Sequence, residues 1–194
     1  MYSILLDSSN KSLSVGLEKE GQLVCYTSYE AWQEQSEHMI PEINKLMEEY
    51  GISRKDISKI VVAVGPGSYT GVRIALTIAK VMALALNIPL YPVSSLRILK
   101  DNDKPSICVI NARSGRSYFG VYHNEKIIVE DIIKTNDEVL DYIKAHSDYS
   151  ICGNAQYLGF ENKDTNCCLQ MISLLPFLRP IDNNLSAKPV YLKD

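Results

Sequence analysis

The chain has 194 residues, of which 46% are apolar, and a formal charge of −3. That length holds one large domain or two lobes of about 100 residues each, with ample apolar surface for a packed core. The slightly acidic balance argues against a chain that grips nucleic acid by itself, because such affinity comes mostly from cation–phosphate contacts.

Residues 2–7 form an apolar run that ends at Asp7, and Ser8-Ser9-Asn10-Lys11 is a turn by composition. Leu13, Val15 and Leu17 then alternate with Ser14, Gly16 and Glu18, the pattern of a half-buried strand. Glu20-Gly21 turns the chain into a third strand over 23–29, which completes an antiparallel meander. Residues 36–50 are predicted to be helical. Met39, Ile40, Ile43, Leu46, Met47 and Tyr50 lie along one stripe, Pro41 interrupts the first turns, and Gly51 ends the helix.

A buried strand over 60–64 feeds the stretch Gly65-Pro66-Gly67-Ser68-Tyr69-Thr70-Gly71-Val72-Arg73. A strand, a glycine-rich turn and a helix can aim free backbone N–H groups at an anion. The spacing matches neither the dinucleotide fingerprint nor the P-loop. A tight strand-to-helix turn with nothing bound therefore stands beside phosphate binding as an equal alternative. The loop residues that carry either reading are Gly65, Gly67, Ser68, Thr70 and Gly71.

The helix that follows, over 70–86, has one narrow polar sector, Arg73, Thr77 and Lys80, and two apolar sides. Ile74, Ile78, Val81 and Ala85 make one side; Val72, Ala75, Leu76, Ala79, Ala83 and Leu86 make the other. A surface helix needs an apolar stripe of only a little over about 100°. This helix needs two covers, supplied either by its own domain or partly by a second chain.

A strand over 90–93 and a brief helix capped by Ser94 or Ser95 lead to the polar segment 100–105, the expected lobe boundary. Beyond it, 107–110, 117–123 and 126–132 read as strands, and Thr135-x-x-Glu138 is a capping box for a helix to about 145. Residues 149–152 suit another strand, while 169–178 and the tail 187–192 give weak signals. A three-stranded meander followed by two crossovers is the half-unit of actin-like and ribonuclease-H-like α/β folds, mixed sheets flanked by helices. The expectation is two lobes, 1–100 and a reduced 101–194, the final residues being candidates to return to the first.

Reactive groups are sparse. No motif surrounds any of the three histidines, so no nucleophilic triad assembles. His38 and Glu42 share a helical face, but zinc needs at least three protein ligands and no third stands out. Asp7 sits where a first-strand carboxylate holds a metal-bound water in actin-like ATPases, yet no second glycine-rich phosphate hairpin follows residue 105. Asp7, His38 and Glu42 are thus read as degenerate phosphate or metal positions, with no catalytic residue and no metal expected. The five cysteines form no C-x-x-C and are expected to be reduced and mostly buried. No basic leader is visible, and no unbroken apolar run reaches the ~20 residues of a membrane span. A cytoplasmic protein is expected.

Leu6-Asp7-Ser8-Ser9, Ser36-Glu37-His38-Met39-Ile40-Pro41, the glycine stretch through Ile74, Pro92-Val93-Ser94-Ser95-Leu96 and the tail Pro189-Val190-Tyr191-Leu192 resemble the TsaB (YeaZ) family. The likeness is close over residues 1–100 and looser beyond. Where the family shows an Asp-Ala-Arg-Arg-like segment, this chain has Asn111-Ala112-Arg113-Ser114.

The resemblance implies a two-lobed actin-like protein that is not itself a catalyst. It would pair with the catalytic paralogue TsaD and act with the ATPase TsaE, placing threonylcarbamoyl on the adenosine beside the tRNA anticodon. It would form a homodimer when the paralogue is absent and meet tRNA only through the complex. ATP and metal would belong to the partners, the chain having no cofactor of its own. TsaD-like chains carry His-x-x-x-His on the first helix, where this one has His38-x-x-x-Glu42. The partner interface is then expected on Met39, Ile43, Met47, Val72, Ala75, Ala79, Met82 and Leu86, with a charge at Ala79 breaking pairing but not the fold. The rival expectation is an autonomous ATP-dependent transferase or a metallopeptidase-like enzyme.

Overall fold

In the computed structural model, which describes residues 1–163 and 165–192, strand β1 (Tyr2–Asp7) is buried from Ser3 onward. Its side chains alternate between two cores: Ile4 and Leu6 enter one, Leu5 the other. Period-two alternation with both faces covered requires apolar residues at every position, which is why this strand reads as a continuous apolar run. β2 (Ser12–Lys19) and β3 (Gln22–Glu30) extend it antiparallel, while β4 (Ile57–Ala63) and β5 (Leu90–Val93) join in parallel, in the order β3-β2-β1-β4-β5. Helices α1 (Gln35–Glu49) and α2 (Tyr69–Leu86) cover one face, with α1 against β2 and α2 against β4. Pro41 lies inside α1 on its exposed side.

The second sheet is built from β6 (Ser106–Arg113), β7 (Arg116–His123), β8 (Lys126–Thr135) and β9 (Ser150–Gly153), in the order β8-β7-β6-β9. Helix α3 (Asn136–Ala145) packs Val139 and Ile143 on Ile107, Val109, Phe119 and Val121. Its start is the capping box expected from the sequence: Thr135 Oγ1 accepts from the Glu138 amide, and Glu138 accepts from the Thr135 amide at 2.8 Å. Two mixed sheets flanked by helices are the actin-like α/β architecture.

The weak-signal segment 169–178 contains most of a fourth helix, α4 (Cys167–Leu174). Cys167, Cys168, Met171 and Leu174 cover the other face of the first sheet, against Leu5, Val61, Ala63 and Val93. All five cysteines are free thiols, four of them buried. After α4 the chain runs along the first sheet: Ile181 N donates to Leu90 O at 2.9 Å, Lys80 Nζ to Ala187 O at 2.9 Å, and Val190 N to Val64 O at 2.7 Å. Residues 167–192 therefore pack with the first lobe although they follow the second in sequence.

The interface expected on α1 and α2 requires correction. Met39, Ile43, Met47, Val72, Ala75 and Ala79 are all at most 9% exposed, and Met82 and Leu86 are half-buried against the same core. The sheet covers these residues because the apolar side holding the small alanines permits the closest helix–sheet approach. A charge at Ala79 would enter that core and not an interface. The uncovered large apolar residues of α2 are Val81, 61% exposed on the other apolar side, and Leu84, 58% exposed in line with Arg73, Thr77 and Lys80. On α1, Ile40 is 50% exposed. Among the described residues α2 is also the one helix long and apolar enough to cross a membrane by length and composition, and part of it is buried on the sheet.

Residues 94–101 stitch the lobes together. Leu96 is buried in the second lobe's core, Ile98 in the first's. Ser94 Oγ donates to Asp131 at 2.6 Å, and the buried Tyr122 hydroxyl donates to the same carboxylate. At the end of this segment Asp101 accepts from Ser150 Oγ at 2.9 Å and pairs with Lys163. The hydrogen bond from Lys163 holds the Asp101 carboxyl down at about 2, against an ordinary value of 3.8. A depressed carboxyl stabilises the fold above its unfolded value, and the contribution is lost as pH falls through the folded one. Because the Lys163 side chain is half exposed, solvent screening limits the effect. Asp101→Asn should cost about 1 kcal/mol at pH 7. In thermal melts across acidic pH its difference from the parent should shrink between pH 3.8 and about 2.

Candidate functional site

At the end of β4 the chain crosses a cis Gly65–Pro66 bond, with Gly65 at φ +102. Gly65 exchanges hydrogen bonds with Ser95: its amide donates to Ser95 Oγ at 3.0 Å and its carbonyl accepts from Ser95 N at 2.9 Å. Ser68 caps α2, its Oγ accepting from Gly71 N at 3.2 Å. The loop closes on its own chain. Ser68 N donates to Ser9 O at 2.7 Å, and Ser8 Oγ donates to Gly71 O at 2.7 Å.

The glycines exist for that contact. A Cβ at Gly67 would overlap the carbonyl oxygen of Ser9, one at Gly71 that of Ser8, and one at Gly65 would lie 2.8 Å from Val190 O. Of the two alternatives open from the spacing, the geometry is that of the tight turn. The approach that a phosphate makes in a P-loop is made here by the turn after β1. Thr70, in the first turn of α2, stays exposed.

Asp7 points into that same turn. It is 8% exposed and accepts from Ser9 N at 2.8 Å. Burial raises its carboxyl above the ordinary value, and the hydrogen bonds from Ser9 oppose the rise. His38 and Glu42 stand apart on α1. Glu42 accepts from Tyr29 OH at 3.2 Å, and His38 Nε2 lies 3.5 Å from Glu34. Among the described residues no group of three or more His, Cys, Asp or Glu side chains is placed to hold a metal ion.

Two features were not foreseen from sequence. The first is a latch at the start of α2. Tyr191 stacks on Tyr69 at 5.3 Å, and its hydroxyl accepts from Arg73 Nε at 2.7 Å, while the guanidinium sits 4.1 Å from the Tyr69 ring. The second is a cleft of about 840 Å³ between the lobes. Ser9, Lys11, Trp32 and Ser68 line it from the first lobe; Asn111, Arg113, Tyr118 and Tyr157 line it from the second. The chain's lone tryptophan, standing outside any apolar periodicity, was a signal that could have drawn attention to this wall.

The glycine contact yields a test with a diagnostic sign. In a free helix Gly→Ala stabilises by about 1 kcal/mol. Gly71→Ala should instead cost about 2–3 kcal/mol through overlap with Ser8, read from urea unfolding midpoints. Gly71 has no positive φ, so the loss would be steric.

Comparison with known proteins places these features. The sequence model of the family described as "TsaD: tRNA N6-adenosine threonylcarbamoyltransferase" matches residues 29–166. The "tRNA threonylcarbamoyladenosine biosynthesis protein TsaB" of Bacillus subtilis (strain 168) is 35% identical over 145 residues, covering 72% of this chain. That match spans 63% of the Bacillus protein's length. Among solved structures, a Pseudomonas aeruginosa protein described as similar to peptidase YeaZ superposes with a TM-score of 0.87 at 23% identity, covering 99% of each chain. YeaZ from the same organism superposes with a TM-score of 0.80 at 22% identity, covering 98% of this chain and 99% of that one. At those identities the two structures speak to the fold.

Proposed function

The chain belongs to the family that this model describes, on its TsaB (YeaZ) branch, and on that premise we propose that it is a non-catalytic partner subunit in the threonylcarbamoylation of tRNA adenosine. The observation that carries the reading is the outer side of α2. Val81 and Leu84 are more than half exposed, with Ala85 exposed beside them, while Ile74 and Ile78 are half-buried against the core. Water contact at such side chains costs about 25 cal/mol per Å² of apolar surface, and a folded monomer gains nothing by keeping them uncovered.

This side of α2, with Ile40 of α1, is the surface on which a TsaD-like paralogue would dock, or a second copy of the chain in its absence. A stable pairing buries on the order of 1,600 Å² in all, so the two helices would supply its centre and neighbouring segments its rim. The closed glycine loop suits the reading, since it holds α2 at a fixed angle on the sheet for a rigid partner to meet. In the assembly a TsaE-like ATPase would act alongside. ATP and metal would belong to the partners, tRNA would be reached through the complex, and the setting would be the cytoplasm.

Two measurements test this. Val81→Glu and Leu84→Glu should each weaken pairing with the TsaD-like protein at least tenfold, with melting temperatures close to the parent's. Ala79→Glu, placed in the core, should fail to fold. In reconstitution, the chain alone should turn over no ATP, and modified tRNA should form only when the paralogue and the ATPase are added. ATP turnover by the chain alone, abolished in Asp7→Ala, would establish the autonomous enzyme instead.

A further inference from the structure

We propose that the cleft between the two lobes holds a short unpaired stretch of RNA. The charge of its walls points there first. The chain has 23 acidic and 20 basic residues, yet among the described residues lining the cleft none is acidic. Two are basic, Lys11 on one wall and Arg113 on the other. Neither enters an ion pair among the described residues.

Aromatic rings complete the site. Trp32 is 43% exposed on the first lobe's wall, and Tyr118 and Tyr157 are half-buried on the second's. Tyr157 is held in place by donating to Ser117 Oγ at 2.6 Å. Unstacked bases bind on such rings with little regard to sequence. Side-chain amides of Asn10 and Gln156 supply both donors and acceptors for base edges, and Asn111, whose Oδ1 accepts from Arg113 N at 2.8 Å, adds its N–H donors. The volume, about 840 Å³, lies within the roughly 300–1,000 Å³ of ligand sites.

A free nucleoside polyphosphate fits less well. The amide of Ser68 is already given to Ser9, and the space at Gly67 and Gly71 is filled by the chain itself. Single cations on opposite walls suit phosphates spaced along a strand better than a compact polyphosphate. The net charge of −3 keeps the affinity low, with a Kd on the order of 10⁻⁴ M. The unpaired strand is assigned from the cleft alone; the choice of RNA over DNA rests on the function proposed above.

Trp32 is the chain's only tryptophan, so its emission reports on the cleft directly. The full chain, without any partner, is titrated with an unpaired heptaribonucleotide, its duplex, its deoxy counterpart, AMP and ATP. The single strand should quench saturably, at least tenfold tighter than AMP, ATP or duplex. Tyr118→Leu should weaken it about tenfold. Arg113→Gln and Lys11→Gln should weaken it several-fold and each lower the salt slope by about one, with melting temperatures confirming that the variants fold. Absence of saturable quenching, equal response to AMP, ATP or duplex, or unchanged binding in all three variants would overturn the site. Equal binding of the deoxy strand would overturn the choice of RNA. The readout uses the isolated chain, so failure to pair with a paralogue leaves it unmoved.

Discussion

No side chain fits between the turn after β1 and the start of α2. Gly67 and Gly71 press their backbones against the carbonyls of Ser9 and Ser8, and two hydrogen bonds of 2.7 Å lock the contact. This approach sets the height of α2 above the sheet and its rotation about its own axis. Rotation then decides which apolar side is core. With Gly71 directed at Ser8, the alanines 75, 79 and 83 face the sheet, and Val81 and Leu84 face outward. The same contact brings the carbonyls of Ser8 and Ser9 into the space beside Gly71 and Gly67, so one constraint sets both the helical platform and the shape of the loop.

The two lobes are not independent. Leu96 and Ile98, two residues apart, are buried in different cores, so the lobe connection is itself part of both interiors. The C-terminal segment adds a second tie. It covers the open face of the first sheet with α4, then follows β5 and α2 until Val190 reaches Val64 and Tyr191 reaches Tyr69. Gly16 accommodates that cover, because a Cβ there would lie 2.8 Å from Cys168 Sγ. The first lobe's fold thus depends on residues at both ends of the chain, and the walls of the cleft are held by elements anchored in rigid sheets.

Much of this was legible in the residues. The meander, the two crossovers and the capping box at Thr135 and Glu138 each rest on local chemistry: alternation, turn composition or a side chain reaching its own backbone. The two-sided character of α2 was legible for the same reason, since helical periodicity assigns residues to sides. Its orientation was not, and the expected interface fell on the inner side. α4 escaped notice because it spans only eight residues, about two turns, too few for a periodicity to stand out. The aromatic and basic walls of the cleft, drawn from Lys11, Trp32, Arg113, Tyr118 and Tyr157, are scattered over nearly 150 positions and share no periodicity.

The sequence by itself determined most of the elements, their order and the actin-like pattern of strands and helices, because those follow from interactions between near neighbours. Tertiary structure alone decided which side of α2 is left uncovered, what fills the glycine loop, where the C-terminal segment packs and what the cleft is lined with. Each of these depends on the rotation or approach of segments distant in the chain. A periodic pattern records that a face is apolar but not what will come to lie against it.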